Sequence, residues 1–340
     1  MANEILIEQL DQAVGTIIAK PKALLPRVSE EIAPLVRIAV ALRDLPREGL
    51  KARLKNDLEK TISMSTASAT TTGSGDQSAQ SKVNPIREGF RTVTPYLVVP
   101  DVHEEIAFID KVFGAGGQIY GLGSAGGFHS ECKIGDSMLM IGGGGKGSAW
   151  KGTPLPASLH VYVEDVDAVY ERALQAGATS LHAPTDQEYG ERSAAFLDVG
   201  GNHWYPATAK GAHYILEGAQ NLMPYLHPRG ALKQIDFLKQ AFGAEEVLRH
   251  ESADGFIYHA KVRIGDAIVE MGEAHDQWQP MPGVFMMYVD DVDAWYARAL
   301  KAEGAISMGE PEEKPYGARV GAVKDPFDNV WYVASQIKNM

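Results

Sequence analysis

One series of landmarks occurs twice in this chain, in the same order and at nearly constant spacing. The paired landmarks are Pro95-Tyr96-Leu97 with Pro224-Tyr225-Leu226, Ile134-Gly135-Asp136 with Ile264-Gly265-Asp266, Tyr162-Val163 with Tyr288-Val289, Tyr189-Gly190 with Tyr316-Gly317, and Trp204-Tyr205 with Trp331-Tyr332. The period is far longer than that of a solenoid repeat, so each copy is a whole folding unit and not one stacking element. The repeat therefore predicts two related domains in one chain.

Composition excludes several classes of function. A net charge of −12 over 340 residues argues against binding to nucleic acid, which needs a basic face, and against docking on an anionic membrane. The single cysteine, Cys132, rules out an intrachain disulfide and suits a reducing compartment. Acidic residues near the N-terminus do not fit a signal peptide, and no stretch is long and apolar enough to span a bilayer. We therefore expect a cytoplasmic protein.

Periodicity and composition divide the chain into four segments. Residues 1–60 carry apolar side chains at helical spacing and predict a helical N-terminal segment, either a docking module for a protein partner or a cap on the repeats. Residues 61–85 are rich in Ser, Thr and Gly and lack the apolar groups that offset ordering entropy, so we expect a flexible linker. The two repeats then occupy residues 86–210 and 215–337.

The pattern of apolar residues in each repeat predicts two consecutive βαβββ units. A strand over Thr92–Val99 leads to a helix over about His103–Phe113, and alternating strands follow on both sides of the Ile-Gly-Asp turn. The second half opens with a strand and a helix, for which Asp165 and Asp291 are suitable N-caps in the two repeats. The predicted class is α+β, with tandem βαβββ-repeat domains behind a helical segment.

Several of these motifs resemble those of the vicinal oxygen chelate superfamily, which has the glyoxalase/bleomycin-resistance/extradiol-dioxygenase fold. The motifs are Phe-Gly-Ala after the first helix, His-Ala-Lys-Val-Arg-Ile-Gly-Asp at 259–266, Tyr-Val-x-Asp-Val-Asp-Ala, Tyr-Gly-x-Arg, and Asp-Pro-Phe-Asp-Asn at 325–329. Within the superfamily the chain is most similar to PhnB-like proteins, and the resemblance covers about residues 86–337. It implies curved mixed sheets. It does not select a reaction, because the superfamily includes isomerases, dioxygenases, thiol transferases and drug-binding proteins.

The resemblance also implies four metal-ligand positions in each domain, on the first and last strands of each half. In this sequence those positions hold Thr94, Met140, His160 and Tyr205 in the first repeat, and Met223, Glu270, Met286 and Tyr332 in the second. Neither repeat carries a full ligand set, since threonine and methionine are poor ligands for a hard divalent ion. Within single repeats, the metal site is expected to be lost.

A pairing of half-domains across the two repeats would partly restore the site. If the second half of repeat one faces the first half of repeat two, His160 and Tyr205 meet Met223 and Glu270. His227 shares a strand face with Met223 because side chains alternate with a period of two. His160, His227 and Glu270 would then form a two-histidine, one-carboxylate site for one Zn, Ni, Mn or Fe ion, with Tyr205 and Glu270 as catalytic candidates. Pairing within repeats remains the alternative.

Other polar and aromatic side chains are candidates for lining a ligand cavity. His129 and His259 occupy the same register in the two repeats, on strand faces shared with Glu131 or Lys261, and are interpreted either as cavity wall or as solvated outer face. The arginines of the Tyr-Gly-x-Arg motif either meet an anionic ligand or anchor their own loop. The aromatic candidates face either a planar ligand or the core. The full set of cavity candidates is His129, His259, Tyr96, Tyr225, Arg192, Arg319, Trp204 and Tyr332.

Three functions remain open at this point. The first is a small-molecule-binding protein with an aromatic-lined cavity, in a resistance or sequestration role and with a small organic molecule as its ligand. The second is an enzyme, a metal-dependent lyase, isomerase or dioxygenase with one composite site. The third is a ligand-sensing regulator that docks a partner through residues 1–60. Whether the protein is an enzyme, and whether it forms an oligomer, stays open.

Overall fold

The computed structural model describes residues 84–337, except residues 123, 124, 217 and 277. The predictions for residues 1–60 and for nearly all of the 61–85 segment lie outside these residues. The described residues belong to one unit that spans Ser81–Met340. None of the helices in this part of the chain is long and apolar enough to cross a membrane.

Each repeat contains eight strands and two helices. The first repeat consists of β1 (Val93–Val99), α1 (Val102–Phe113), β2 (Gly117–Leu122), β3 (Phe128–Ile134), β4 (Ser137–Gly143), β5 (Ser158–Tyr162), α2 (Val166–Gln175), β6 (Thr179–Asp186), β7 (Glu191–Leu197) and β8 (His203–Ala209). The second consists of β9 (Leu222–Leu226), α3 (Ala231–Phe242), β10 (Glu245–Glu251), β11 (Ile257–Ile264), β12 (Ala267–Met271), β13 (Val284–Tyr288), α4 (Val292–Ala299), β14 (Ile306–Lys314), β15 (Ala318–Lys324) and β16 (Val330–Gln336). The predicted α+β class with tandem βαβββ units is confirmed.

Local sequence signals explain where the helices begin and end. Asp165 and Asp291 are the N-caps of α2 and α4, and each side chain accepts a hydrogen bond from the backbone N–H three residues later. The helices α1 and α3 end at Gly114 and Gly243, whose φ angles of 67° and 66° lie in the left-handed region that glycine tolerates best. The predicted N-caps are therefore confirmed.

The strands form two eight-stranded sheets, and each sheet takes one half from each repeat. Sheet 1 has the order β14-β15-β16-β13-β1-β4-β3-β2, and sheet 2 the order β10-β11-β12-β9-β5-β8-β7-β6. The halves join through antiparallel pairs, β1 with β13 in sheet 1 and β5 with β9 in sheet 2. The half-domains therefore pair across the repeats, which the sequence left undecided.

Two equivalent contacts join the sheets. The Asp136 carboxylate accepts from the Asn221 backbone N–H at 2.9 Å, while the Asn221 side-chain oxygen accepts from the Asp136 N–H at 3.0 Å. On the other side, Asp266 accepts from the Thr92 N–H at 2.8 Å. The Ile-Gly-Asp turn of each repeat is thus hydrogen-bonded to the residue that precedes the first strand of the other repeat.

The helices cover one face of each sheet and leave the other, here called the inner face, to the candidate site. The helices α1 and α2 pack on each other, as do α3 and α4, and each pair contacts both sheets. The largest core side chains on the helix side are Trp204 and Trp331, which are fully buried. Smaller clusters, around Tyr288 in sheet 1 and Tyr162 in sheet 2, occupy the inner faces.

Candidate functional site

The inner face of sheet 2 collects polar side chains in one row across five strands. In the strand register His160 lies beside Met223 on one side and beside Tyr205 on the other. Glu270 lies beside Lys261 on β11 and in the row of Tyr225 on β9. Because side chains alternate along each strand, these groups share one face. The cross-repeat pairing therefore brings His160 of one repeat to Glu270 of the other.

Glu270 is completely buried at the centre of this row. One carboxylate oxygen accepts a hydrogen bond from His160 Nδ1 at 2.7 Å, and the other lies 2.7 Å from the Lys261 ammonium. Burial would raise the pKa of Glu270, but His160, Lys261 and His259 together hold it well below its usual range. The carboxylate is therefore ionised, and its charge is balanced inside the protein by Lys261.

Aromatic rings form a wall beside this ion pair. The Tyr205 hydroxyl lies 2.9 Å from His227 Nε2, and the Tyr205 ring centroid lies 5.2 Å from that of Tyr225. The Trp278 ring stacks on His227 at 6.1 Å with an interplanar angle of 7°. Tyr205, Tyr225 and Trp278 are half-buried, so their rings can contact both the core and a bound molecule.

Burial keeps the two histidines of this wall neutral near pH 7. It lowers the pKa of His227 to about 3, and the nearby His203 and His275 act in the same direction. Burial also lowers the pKa of His259 to about 4, although Glu270 opposes that shift. The Tyr225 hydroxyl lies 3.4 Å from His259 Nδ1, and burial raises the pKa of Tyr225 well above its usual value. The wall therefore offers neutral hydrogen-bonding groups.

The residues of sheet 2 do not fit a divalent metal. Glu270 already holds His160 and the Lys261 ammonium, and a cation at that carboxylate repels a second one. His227 makes its hydrogen bond to Tyr205 and not to Glu270. Within the described residues, no group of three or more His, Cys, Asp or Glu side chains is arranged to hold a metal ion. The composite pairing is present, but His160, His227 and Glu270 do not converge on one point.

The inner face of sheet 1 differs from that of sheet 2 at three of the four ligand positions, and only the tyrosines Tyr332 and Tyr205 are shared. Its four ligand positions hold Thr94, Met140, Met286 and Tyr332, which are buried or half-buried. Residues 84–90 cross this face, and Phe90 packs edge-on against Tyr288. Most of the ligand positions of sheet 1 therefore lie in an apolar cluster to which the chain's own segment contributes Ile86 and Phe90.

Two further cavity candidates lie on sheet 1. The Tyr96 hydroxyl lies 3.2 Å from His129 Nδ1, and His129 Nε2 lies 3.3 Å from Glu131. Glu131 is also bound by both terminal nitrogens of Arg87, whose guanidinium stacks on Phe90. His129 and Tyr96 thus belong to a polar cluster closed by Arg87.

Three of the predicted cavity residues lie away from the inner faces. Arg192 forms a two-pronged ion pair with Asp167 at 2.6 and 2.7 Å, and Arg319 forms the same pair with Asp293. Trp204 is fully buried on the helix side, where its indole N–H donates to Asp198 at 2.6 Å. The remaining candidates, including Tyr225, His259 and Tyr332, lie on or beside the inner faces.

Trp278 and Lys261 are the important site residues that the sequence did not single out. Trp278 lies in the irregular loop between β12 and β13, and the equivalent loop of the first repeat carries Trp150, a signal that was present in the sequence but not used. Lys261 was visible as a neighbour of His259 on one strand face, but its role depends on the register that places it beside Glu270. A carboxylate at a buried strand position is itself a signal that a cation lies nearby.

The comparisons with known proteins agree with this architecture. A sequence model of the Glyoxalase/Bleomycin resistance protein/Dioxygenase superfamily matches residues 91–205 and 231–333. An uncharacterized protein of Mycobacterium bovis is 35% identical over 126 residues, covering 33% of this chain and 79% of that protein. An uncharacterized protein of Mycobacterium tuberculosis is also 35% identical, over 33% of this chain and 71% of its own. Glyoxalase I from Zea mays has a TM-score of 0.55 at 13% identity, covering 72% of this chain and 92% of that chain, which shows a similar fold.

Proposed function

The chain belongs to the Glyoxalase/Bleomycin resistance protein/Dioxygenase superfamily, and from that premise we propose that it binds a small organic molecule with a planar group against the aromatic wall of sheet 2. The wall consists of Tyr205, Tyr225 and Trp278, with His259 and the Lys261–Glu270 pair beside it. Sequestration of the bound molecule, as in a resistance protein, is the role that we propose for this binding.

The observation that carries the proposal is the internal ion pair at Glu270. In a metal-dependent enzyme of this fold the carboxylate would be available to a divalent ion, but here Lys261 lies 2.7 Å from one of its oxygens. Glu270 is completely buried, so a metal would have to displace the Lys261 ammonium from a carboxylate that solvent does not reach, at considerable cost. What remains accessible is the half-buried aromatic surface, which suits an apolar, planar ligand.

A lyase, isomerase or dioxygenase mechanism has less support from these residues. Tyr205 and Glu270 were the catalytic candidates, yet Tyr205 is hydrogen-bonded to His227 and Glu270 is hydrogen-bonded to His160. Burial raises the pKa of Tyr205 well above its ordinary value, so its hydroxyl stays protonated and serves as a donor. The regulatory alternative concerns residues 1–60, which lie outside the described range.

The test combines metal analysis with ligand-dependent thermal stabilisation of the full chain. We would measure metal per chain in protein purified without chelator, then screen planar aromatic compounds by differential scanning fluorimetry with and without EDTA. A ligand at about 100 times its Kd stabilises the folded state by about 2.7 kcal/mol, enough for a clear shift in melting temperature. We expect stabilisation that persists in EDTA.

The repeat supplies a matched pair of variants for this test. Tyr225→Leu removes a ring from the wall of sheet 2, whereas Tyr96→Leu removes the equivalent ring from sheet 1. We expect ligand stabilisation to be lost in the first variant and retained in the second. About one metal ion per chain, together with loss of ligand binding on chelation, would overturn the proposal in favour of the metal-dependent enzyme.

A further inference from the structure

A cleft of about 250 Å³ opens where β9 ends, next to but separate from the aromatic wall. Its lining comes from three segments, 226–229 after β9, 280–282 before β13 and 326–329 between β15 and β16. His227 is the one residue that it shares with the aromatic wall described above. Neither the proposed function nor the family match assigns a role to this cleft.

Seven of the eleven residues that line the cleft are apolar. The apolar residues are Leu226, Pro228, Pro280, Met281, Pro282, Pro326 and Phe327. Proline rings lose little conformational freedom when a ligand packs on them, because their φ angle is already fixed. A cavity of about 150 Å³ is enough to hold benzene, so this cleft has room for a six-membered ring carrying one further polar group.

One polar atom in the lining lacks a partner. His227 is only 8% exposed, and its Nδ1 has no hydrogen-bond partner among the described residues. Its Nε2 lies 2.9 Å from the Tyr205 hydroxyl, which is closer than the 3.3 Å from that hydroxyl to His203. When the phenol donates to Nε2, the neutral imidazole carries its proton on Nδ1. His227 then has a buried N–H donor without an acceptor, which is unfavourable by itself.

The rim of the cleft carries an unpaired positive charge. Arg229 is exposed and donates to the neutral side-chain oxygen of Gln279 at 3.1 Å, and no carboxylate of the described residues lies within ion-pair distance of it. The acid at the rim, Asp328, is already paired with Lys324 at 2.8 Å, and the side chain of the lining residue Asn329 is hydrogen-bonded inside the protein through both its oxygen and its nitrogen. The polar groups left for a ligand are therefore one N–H donor and one guanidinium, which together favour an anionic oxygen ligand.

The equivalent region of the first repeat lacks both groups. Its Pro154-Leu155-Pro156 segment matches Pro280-Met281-Pro282, and both middle residues bridge to the end of the neighbouring strand. Where the second repeat has His227 and Arg229, however, the first has Val98 and Pro100. The polar groups were thus added to a shared apolar frame in one repeat only.

We propose that this cleft binds a small organic carboxylate, whose carboxylate group accepts from His227 Nδ1 and Arg229 while its apolar body packs on the prolines and Met281. The proposal goes beyond the function assigned to the aromatic wall, since the two sites use different side chains apart from His227. A neutral molecule of the same shape lacks the charge that Arg229 would pair with.

The experiment is isothermal titration calorimetry of the full chain with sodium benzoate and with benzamide at constant ionic strength. We expect benzoate to bind and benzamide to bind at least about tenfold more weakly, since hydrogen bonds to a charged group are stronger than neutral ones. Equal binding of the two compounds, or no binding of benzoate, would overturn the proposal.

Variants locate the binding. Arg229→Gln should weaken benzoate binding about tenfold, whereas Lys233→Gln removes an equally exposed positive charge that does not line the cleft and should have little effect. His227→Val, which installs the residue of the first repeat, should abolish benzoate binding. If the Arg229→Gln and Lys233→Gln variants have the same affinity for benzoate, the benzoate is bound elsewhere and the proposal fails. Because Arg229 is exposed, replacing it does not disturb the core, so this comparison reports on binding alone.

Discussion

Replacing Glu105 by glutamine should stabilise this protein, and increasingly so as the pH rises. Glu105 on α1 is buried, and neither carboxyl oxygen has a hydrogen-bond partner among the described residues. Burial and the neighbouring Asp198 raise its pKa well above the usual range. The equivalent residue of the second repeat is already Gln234, whose amide donates to Asp325 at 3.0 Å and accepts from Asn329 at 3.1 Å.

The magnitude follows from this comparison between repeats. At low pH the protonated carboxyl of Glu105 can itself donate to Asp198, but the ionised carboxylate at higher pH cannot. In Glu105→Gln the amide can donate at every pH, as Gln234 does to Asp325, and a hydrogen bond to a charged group is worth about 1.5–3 kcal/mol. The pKa of Glu105 is higher in the folded protein than in the unfolded chain, where it is about 4.3. The contribution of Glu105 to the free energy of unfolding is therefore complete below about pH 4.3 and is lost as the pH rises toward the native pKa. The variant should therefore gain little near pH 4 and about 1.5–3 kcal/mol at neutral to alkaline pH.

Urea unfolding followed by tryptophan fluorescence, repeated from pH 4 upward, measures this gain. All five tryptophans of the chain lie between Trp150 and Trp331, so the signal reports on the described unit. The reverse change, Gln234→Glu, should reduce stability and steepen its decline with pH. If Glu105→Gln and the unchanged protein give parallel stability curves across this pH range, Glu105 is not a strained buried acid and the reasoning is refuted.

The remaining predictions concern the buried ion pair and the turns that join the sheets. Lys261→Met should destabilise the fold by about 3–5 kcal/mol in urea unfolding, because it leaves Glu270 charged and buried. The double variant with Glu270→Met, the residue of the first repeat, should recover most of that loss, and a double-mutant cycle that is additive would contradict the ion pair. Because the pKa of Glu270 is lowered, its contribution is present above the unfolded pKa and is lost as the pH falls, so Glu270→Gln should flatten the acid side of the stability curve. Gly135→Ala should cost more than 2 kcal/mol, since its Cβ would lie 2.2 Å from the Asn221 side chain, whereas Gly114→Ala, with a similar φ and nothing within 4 Å, should cost only about 1 kcal/mol in the same assay.

The sequence predicted most of the fold because its signals are local. The repeated landmarks, the N-caps Asp165 and Asp291, and the alternating strands around the Ile-Gly-Asp turn each depend on neighbours within a few residues. The strands β2 and β10 were not located in the sequence. In β10 only one of seven residues is even partly buried, so the period of two that marks a half-buried strand is absent.

The site was harder to predict because it depends on strand register between distant segments. His160 and Glu270 are 110 residues apart, and they meet only because β5 and β9 pair across the repeats. Sequence position placed both residues at ligand positions, but it did not show that Lys261 would neutralise Glu270. Trp278 comes from an irregular loop, where periodicity does not constrain the side chain.

Electrostatics gives a physical reason for the cross-repeat pairing. If the half-domains paired within each repeat, the half that carries Glu270 would face the half that carries Met286 and Tyr332. His160 would then face the half that carries Thr94, in the first repeat. Glu270 would then lose its histidine donor, and removing one partner of a buried charge is strongly destabilising. The observed pairing instead places His160 beside Glu270 in sheet 2 and leaves the ligand positions of sheet 1 without an imidazole or a carboxylate. The His160–Glu270 contact thus favours the cross-repeat pairing, whereas the Lys261–Glu270 pair, with both residues on adjacent strands of one half-domain, would form in either arrangement.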